Sequence, residues 1–543
     1  MQQIGLCAAL LIEADFDEPR LIIEPTLDDR RAIDFIRFPW KSLLKKNRKA
    51  QVFNVELERQ GYILEDTDVP TLAERWRVGG LQHFIWRLSE RVWSRVPDHW
   101  GKKRLYWVKE NEIVRDVGAG FALRGYRILR LNIGGPQAAS KAIHAKAQQI
   151  IDLLRPQLEV RLSAVIAAHA FDPLIDIVRE RLSGELQAYD QTLDKLQSDR
   201  KFSSNNERSI ILTNYPNGGA MLALAQCALQ NKIVFASAQH GITHEIVDKP
   251  QNHCNFENVF APYTLLLTGE AKERMDAGPF GLPNSKTHVI GQTSEFKRLS
   301  HSLPASRKKR RSPVLYVQTL DRVGPFFNGG TYQNDFTSSQ HEQRLIAEVL
   351  SLVPHQVAFK PYPSRRYFDR DPALDLARNA TNIRVLESGK DLRYIVSDHR
   401  VVISVGATST LNWCFASGIP LIYIDPASYG HRISSDLLSK FQKICFYFDA
   451  TDASFFSNLK IFLSLPLTEI ENAWRQKKAD HADMVLELIG DTHGSSGRKG
   501  YQWLKQQMLH PSRGNSQATH ADRKLNAHIA NIGSAPTEPG AQE

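Results

Sequence analysis

Residues Val401–Asp425, VVISVGATSTLNWCFASGIPLIYID, read as a strand, a small-residue turn, a short helix and a second strand. The turn Gly406-Ala407-Thr408-Ser409-Thr410 carries no bulky side chain, so a ligand can approach the backbone where the helix begins. A first helical turn has unpaired N–H groups and the positive end of the helix dipole, both of which attract phosphate. Thr408, Ser409 or Thr410 can cap that helix or donate hydroxyls to a ligand. Gly418 suits the helix stop, and Pro420 opens the next strand where no N–H is needed. Any parallel sheet also needs crossovers of this kind, so the rest of the chain decides between a phosphate cradle and an ordinary connection.

At 543 residues the chain exceeds what one core organises, which predicts two large or three smaller domains. Hydrophobic content of 42% and charged content of 24% fit a globular protein with a sizeable core. The net charge of +10 suits acidic partners: nucleotide-sugars, anionic glycans, nucleic acid or an anionic membrane surface. The five cysteines are scattered without a CxxC pair, so neither a disulfide framework nor a zinc site is indicated and a reducing compartment is expected. The apolar run Ile4–Ile12 lacks a basic flank and meets Glu13 and Asp15 at once, which suits a buried strand rather than a signal peptide. No run approaches the roughly 20 apolar residues of a spanning helix. The expected location is cytoplasmic, compatible with peripheral contact at an inner membrane.

From Leu21 to about Lys102 the sequence is rich in Trp and Arg and reads as mainly helical. Strand-helix alternation begins at Arg104, pauses over a long helical region at 138–200, and resumes at Ser209 with strands near Ile210–Thr213, Ile233–Ser237, Leu265–Gly269 and His288–Gly291. Lys297–Ser312, containing Arg307-Lys308-Lys309-Arg310-Arg311, reads as a basic linker. Alternation restarts with strands at Val314–Val317, Gln356–Lys360, Val401–Ser404, Leu421–Asp425 and Ile444–Phe448. Such alternation predicts parallel sheets covered by helices. The expected domains are 1–296, Rossmann-like with helical additions and an acceptor site; 297–312, the linker; 313–490, Rossmann-like and nucleotide-binding; 491–509, a C-terminal helix; and 510–543, a disordered tail.

Two doubly wound domains place a cleft at the carboxyl ends of their strands, where such folds bind ligands. His240 closely follows a strand and precedes Gly241, so its imidazole is expected at the sheet rim. An imidazole with a pKa of about 6.5 can take a proton from a hydroxyl near neutrality, the task of a general base; a structural loop histidine has the same signature. His244 and Glu245 follow, and a shared metal would need a helix from Gly241 and a third ligand. Lys360 ends a strand, held extended by Pro361 and Pro363, with Arg365 and Arg366 next; this is either an anion-neutralising strand end or a solvated basic loop. Acidic DxD pairs occur at Asp15, Asp66 and Asp369, none ending a convincing apolar strand, so no metal is assigned. P-loop and strand-linked GxGxxG signatures are absent.

Together, the His-Gly after an N-domain strand, the Lys-Pro-x-Pro element, the strand followed by Gly-x-x-Ser-Thr, and the degenerate terminal Gly490-Asp491 motif resemble bacterial GT-B transferases of surface-polysaccharide synthesis. These include capsular Kdo transferases, polysialyltransferases, CDP-glycerol glycerophosphotransferases and predicted O-antigen transferases. The resemblance covers about residues 205 to 500. It implies an acceptor-binding N-domain and a C-domain for a CMP-, CDP- or UDP-linked donor, with a glycan or lipid-linked glycan as acceptor, no cofactor, no metal and no nucleic acid. It carries a catalytic role onto His240, beside Gly241, and donor-phosphate contact onto Lys360, beside Pro363, and onto Ser409 and Thr410; the position of the residues themselves adds Gly406 and Thr408 to the donor-phosphate set and His244, Glu245 and Arg365 as further site candidates. Tyr362 stands where many relatives have a second histidine, and Gly406 replaces a frequent serine. The alternatives are a nucleotide-sugar epimerase of the same fold, using carboxylates such as Glu245 and Glu387, and a non-catalytic protein that binds through its basic surface.

Overall fold

Apolar runs too short for helices and bounded by turn residues build two parallel sheets, each with six strands. The chain is described by a computed structural model over residues 70–96, 103–133, 138–162, 168–198, 209–216, 218–247, 257, 260–277, 285–301, 312–318, 335–362, 371–387, 389–426, 432–491 and 496–509. The expectations for 1–69, the basic run 307–311 and the tail from 510 lie outside these residues.

The first sheet comprises β1 (Arg104–Trp107), β2 (Arg127–Arg130), β3 (Ser209–Asn214), β4 (Val234–Ala238), β5 (Tyr263–Leu266) and β6 (Lys286–Val289), in the order β2-β1-β3-β4-β5-β6. The second comprises β7 (Ser312–Val317), β8 (Val357–Lys360), β9 (Ile383–Val385), β10 (His399–Val405), β11 (Leu421–Asp425) and β12 (Phe446–Asp449), in the order β12-β11-β10-β7-β8-β9. The second is the six-stranded Rossmann order, and the first follows the related flavodoxin-like order with one more strand. The architecture is GT-B: two Rossmann-like domains, with a helical portion ahead of the first. The sheet order reverses between β1 and β3 in one domain and between β7 and β10 in the other, and these switch points are where crevices open.

Two stretches depart from the sequence reading. The helix Ser294–His301 runs into the stretch read as linker, because Phe296 and Leu299 are buried and Phe296 packs on Trp413 with ring centroids 4.4 Å apart. The edge strand β9, Ile-Arg-Val, is too short and too polar in its flanks to stand out as a strand.

The domains meet through polar and apolar contacts that face the carboxyl ends of both sheets toward each other. Glu295, only 3% exposed, receives Arg115 in a fork at 2.7 and 2.9 Å, and Arg393 from the second domain at 2.9 Å. Burial alone would raise the Glu295 carboxyl, but the two guanidinium groups hold it well below the usual carboxylate range. Lys390 pairs with Glu74 at 2.9 Å, Arg77 with Asp398 at 3.1 Å, and Arg274 with Asp436 at 2.7 Å. Val247 and Ile433 form an isolated antiparallel bridge, extended by Ser434 N–H to the Ile246 carbonyl at 2.8 Å. The helix Ser496–Leu509 returns to the first domain, where Tyr501 meets Phe121 at 4.8 Å and the small Gly497 and Gly500 let it lie close against Asp116 and Val117.

Removing the Glu295 charge leaves two buried cations facing each other. Glu295→Gln is expected to lower stability by about 3–5 kcal/mol in urea denaturation. The stability from this carboxylate is present above the ordinary glutamate range and lost as pH falls below it, so the acid dependence of the variant should be flatter. Wild-type stability in the variant would show that the triad does not hold the domains.

Candidate active site

At the end of β4 the chain turns sharply through His240 and Gly241. Gly241 has φ +74°, and a Cβ there would sit 2.5 Å from the Ser409 Cβ and 2.8 Å from its Cα, so only glycine allows the approach. His240 and the small-residue turn after β10, expected independently from the sequence, are thereby brought together across the domain boundary.

His240 is exposed, and its ring is positioned from behind. Its Nδ1 lies 2.9 Å from the side-chain amide nitrogen of Asn214, the last residue of β3, and its backbone N–H donates to the buried Glu257 carboxylate at 2.8 Å. Tyr215 packs edge-on to the imidazole at 5.9 Å and is held at φ +55°, a rare conformation for a non-glycine residue. Lys109, at the end of β1, places its ammonium 5.4 Å from the Tyr215 ring and donates to the Tyr215 carbonyl at 3.3 Å. Burial lowers the pKa of Lys109. For Nε2 of His240 to accept a proton, Nδ1 must carry one, with the Asn214 amide turned so that its oxygen accepts it. Asn214 Oδ1 has no other hydrogen-bond partner.

Glu245 has a structural place. It is fully buried, accepting the Gln239 amide at 2.9 Å on both oxygens and the Thr268 hydroxyl at 2.8 Å. Gln239 Nε2 also donates to the Gly241 carbonyl at 2.7 Å, its Oε1 accepts from Leu267 N–H at 2.8 Å, and its carbonyl accepts from Asn111 at 2.7 Å. This network ties the ends of β1, β4 and β5 together beneath the His240 turn. His244 falls in the four-residue helix Thr243–Ile246, which begins after His240, so the two histidines are not one helical turn apart on a common helix. Among the described residues no group of three His, Cys, Asp or Glu is arranged to hold a metal ion. Asp371, from one DxD pair, caps the helix Pro372–Asn379 through Ala373 N–H at 3.0 Å.

In the second domain, Gly406 has φ +75° and accepts Thr408 N–H at 3.0 Å, which folds the turn back on itself. Ser409 occupies the N-cap of the helix Thr410–Ser417, yet its side chain makes no capping hydrogen bond. Of the two roles open to these hydroxyls the N-cap is not taken by Ser409, and the partly exposed Thr408, Ser409 and Thr410 stand at a helix start without a side-chain cap.

Lys360 closes β8, 3% exposed, and its ammonium has no hydrogen bond or ion pair among the described residues. Burial lowers its pKa, partly offset by the field of Asp391. Beside it, Gln318 at the end of β7 donates to Glu342 at 3.0 Å and to Asp371 at 2.8 Å, while its Oε1 accepts Tyr362 N–H at 3.1 Å, fixing the strand end that follows Lys360. Pro363 and Arg365 lie outside the described residues. Asn214, Glu257 and Gln318 were missed in the sequence; Asn214 and Gln318 each end a strand at a switch point, and that position was the available signal.

No protein-family model matches the chain, and a comparison with curated proteins finds no match. Among solved structures the chain is similar to UDP-GlcNAc 2-epimerase from Neisseria meningitidis bound to UDP-GlcNAc, at 10% identity and TM-score 0.38, covering 75% of this chain and 100% of that one. It is similar to a putative UDP-N-acetylglucosamine 2-epimerase from Listeria monocytogenes at 7% identity and TM-score 0.40, covering 76% and 98%. It is also similar to a UDP-glucosyltransferase from Polygonum tinctorium capable of glucosylating indoxyl, at 12% identity and TM-score 0.37, covering 74% and 98%.

A buried ammonium with no partner destabilises the fold unless a ligand neutralises it. Lys360→Met keeps the apolar stem and is expected to raise stability near neutral pH by about 1 kcal/mol. Because the folded-state pKa is lowered, the unfolded chain binds more protons between the two values and wild-type stability climbs with pH there. The gap between variant and wild type should therefore close at alkaline pH. A variant less stable than wild type would show that the ammonium stabilises the fold.

Proposed function

We propose that the chain is a GT-B glycosyltransferase that moves a sugar, or a polyol phosphate, from a CMP-, CDP- or UDP-linked donor to a hydroxyl of a surface-polysaccharide or lipopolysaccharide acceptor. The observation that carries this reading is the contact between Gly241 and Ser409, which sets a rim histidine against an uncapped helix start across two switch-point crevices.

In this reading the acceptor hydroxyl lies against His240. Nε2 takes its proton as the acceptor oxygen bonds to the transferred group and the bond from that group to the donor phosphate breaks. Charge grows on the leaving nucleotide phosphate. The Lys360 ammonium, the Ser409 and Thr410 hydroxyls, and the N–H groups at the start of the helix Thr410–Ser417 are placed to receive it. Asn214 keeps the proton on Nδ1, so its role is positional.

The epimerase alternative asks for a carboxylate free to act in the cleft. Glu245 is committed to Gln239 and Thr268, and Glu387 lies in a fork with Arg378 at 2.9 and 3.0 Å. Both facts favour transfer. With donor alone, product analysis is expected to show no epimerised nucleotide-sugar.

His240→Ala should lower kcat by about 10²–10⁴-fold, with donor nucleotide binding little changed in calorimetry. Retained turnover would remove His240 from the chemistry. Asn214→Asp places a carboxylate beside Nδ1 and stabilises the imidazolium, so the acid limb of the rate profile should move to higher pH. An unmoved limb would separate Asn214 from the base.

A further inference from the structure

Part of the Trp- and Arg-rich stretch ahead of the first sheet forms the helix Leu72–Trp93. One side of it is buried: Val78 and Trp86 lie in the core, and the Trp86 indole N–H donates to Glu110 at 3.1 Å. The other side is apolar and exposed. Trp76, Leu81, Phe84, Leu88 and Val92 are 46–55% exposed, and Leu72 is 84% exposed. Leu81, Phe84, Leu88 and Val92 are spaced by three and four residues, so they stand in one row. Gly80, at φ +56°, kinks the helix, and Trp76 meets Phe84 edge-on across the kink with ring centroids 6.4 Å apart. The two pieces therefore present one patch. Exposed apolar side chains standing singly are ordinary, whereas a contiguous row marks a contact surface.

Charge selects what meets it. Arg87 and Arg91 flank the row and Arg95 follows at its end, all three exposed. Arg87 is engaged by Glu90 at 3.1 Å and by Glu110. Arg91 and Arg95 form no ion pair among the described residues. Glu90 is the only acid from Gly80 to Val96, and Arg87 holds it. An apolar row edged by unpaired arginines matches the surface of an anionic bilayer: acyl chains take up the aromatic and aliphatic groups, and headgroup phosphates take the guanidinium groups. A second copy of the same face would bring more arginines and no free acid to meet them.

We propose that this face of the helix Leu72–Trp93 seats the protein peripherally on a bilayer containing anionic phospholipid, with Phe84 and Leu88 entering the acyl region and Arg91 and Arg95 at the phosphates. No residue of the cleft takes part, so the proposal stands whether or not the transferase reading does.

Co-sedimentation of the full chain with vesicles of phosphatidylcholine and phosphatidylglycerol tests it. The expected result is binding to the mixed vesicles, much weaker binding to phosphatidylcholine alone, and a partition coefficient at least about tenfold lower in Phe84→Glu/Leu88→Glu. Arg91→Glu/Arg95→Glu, which leaves the apolar row intact, should also lose the preference for the anionic lipid. Leu229→Glu/Ile461→Glu, which alters two apolar residues equally open to solvent elsewhere, should bind as wild type. His240→Ala should do so too, which separates membrane seating from the chemistry. Undiminished binding by the Phe84/Leu88 variant, an equal loss in the Leu229/Ile461 control, or no binding by wild type would each overturn the proposal. Two further results would reassign the face: a lower thermal midpoint in the Phe84/Leu88 variant without vesicles would mean that the chain itself covers it, and a halved mass of that variant in light scattering would mean that a second copy does.

Discussion

Among the contacts that join the two domains, one buried carboxylate binds both at once. Glu295 takes a guanidinium from its own domain, Arg115, and another from the facing domain, Arg393. An apolar contact of equal area would give comparable stability, but it would tolerate sliding, because hydrophobic burial has no direction. The fork between Arg115 and Glu295 fixes the angle at which Arg393 can approach, and Phe296 on Trp413 fills the space beside it. With that angle set, the carboxyl ends of the two sheets face each other and Gly241 meets Ser409.

The two walls of the cleft are built on opposite principles. On the first domain, the histidine is backed by a hydrogen-bonded network: Asn111, Gln239, Glu245 and Thr268 are joined, and Glu257 holds the backbone of His240. On the second, demand is left open: the helix at Thr410 lacks a side-chain cap, and the Lys360 ammonium is buried without a partner among the described residues. A rigid wall suits a group that must be aimed. An unsatisfied wall suits an anion that arrives from solution, since the ligand then supplies what the fold omits.

Much of this was legible in the sequence because a buried parallel strand is a short, nearly continuous apolar run, and β10 and β11 are such runs. The same rule located His240, Lys360 and the turn after Val405, since each stands where a run ends. What the sequence hid was partnership. That Gly241 touches Ser409 depends on the domain angle, which Glu295 sets from a helix that looked like the start of a hydrophilic linker. Glu245 resembled a free catalytic acid because nothing local reveals that Gln239 and Thr268 enclose it. Asn214 was passed over because a polar residue at a strand end is ordinary until the sheet order makes that end a switch point. The return of Ser496–Leu509 to the first domain was equally invisible, as small residues in a helix do not name the surface they pack on.

The central claim is that the open wall of the cleft is a seat for the phosphate of an activated nucleotide. Thermal unfolding in the presence of CMP, CDP, UDP, GDP and their sugar conjugates tests it most directly, because a ligand that binds only the folded state raises the midpoint in proportion to its occupancy. The account predicts a saturable rise with at least one cytidine or uridine nucleotide or its sugar conjugate. An unmoved midpoint across the whole panel would contradict it.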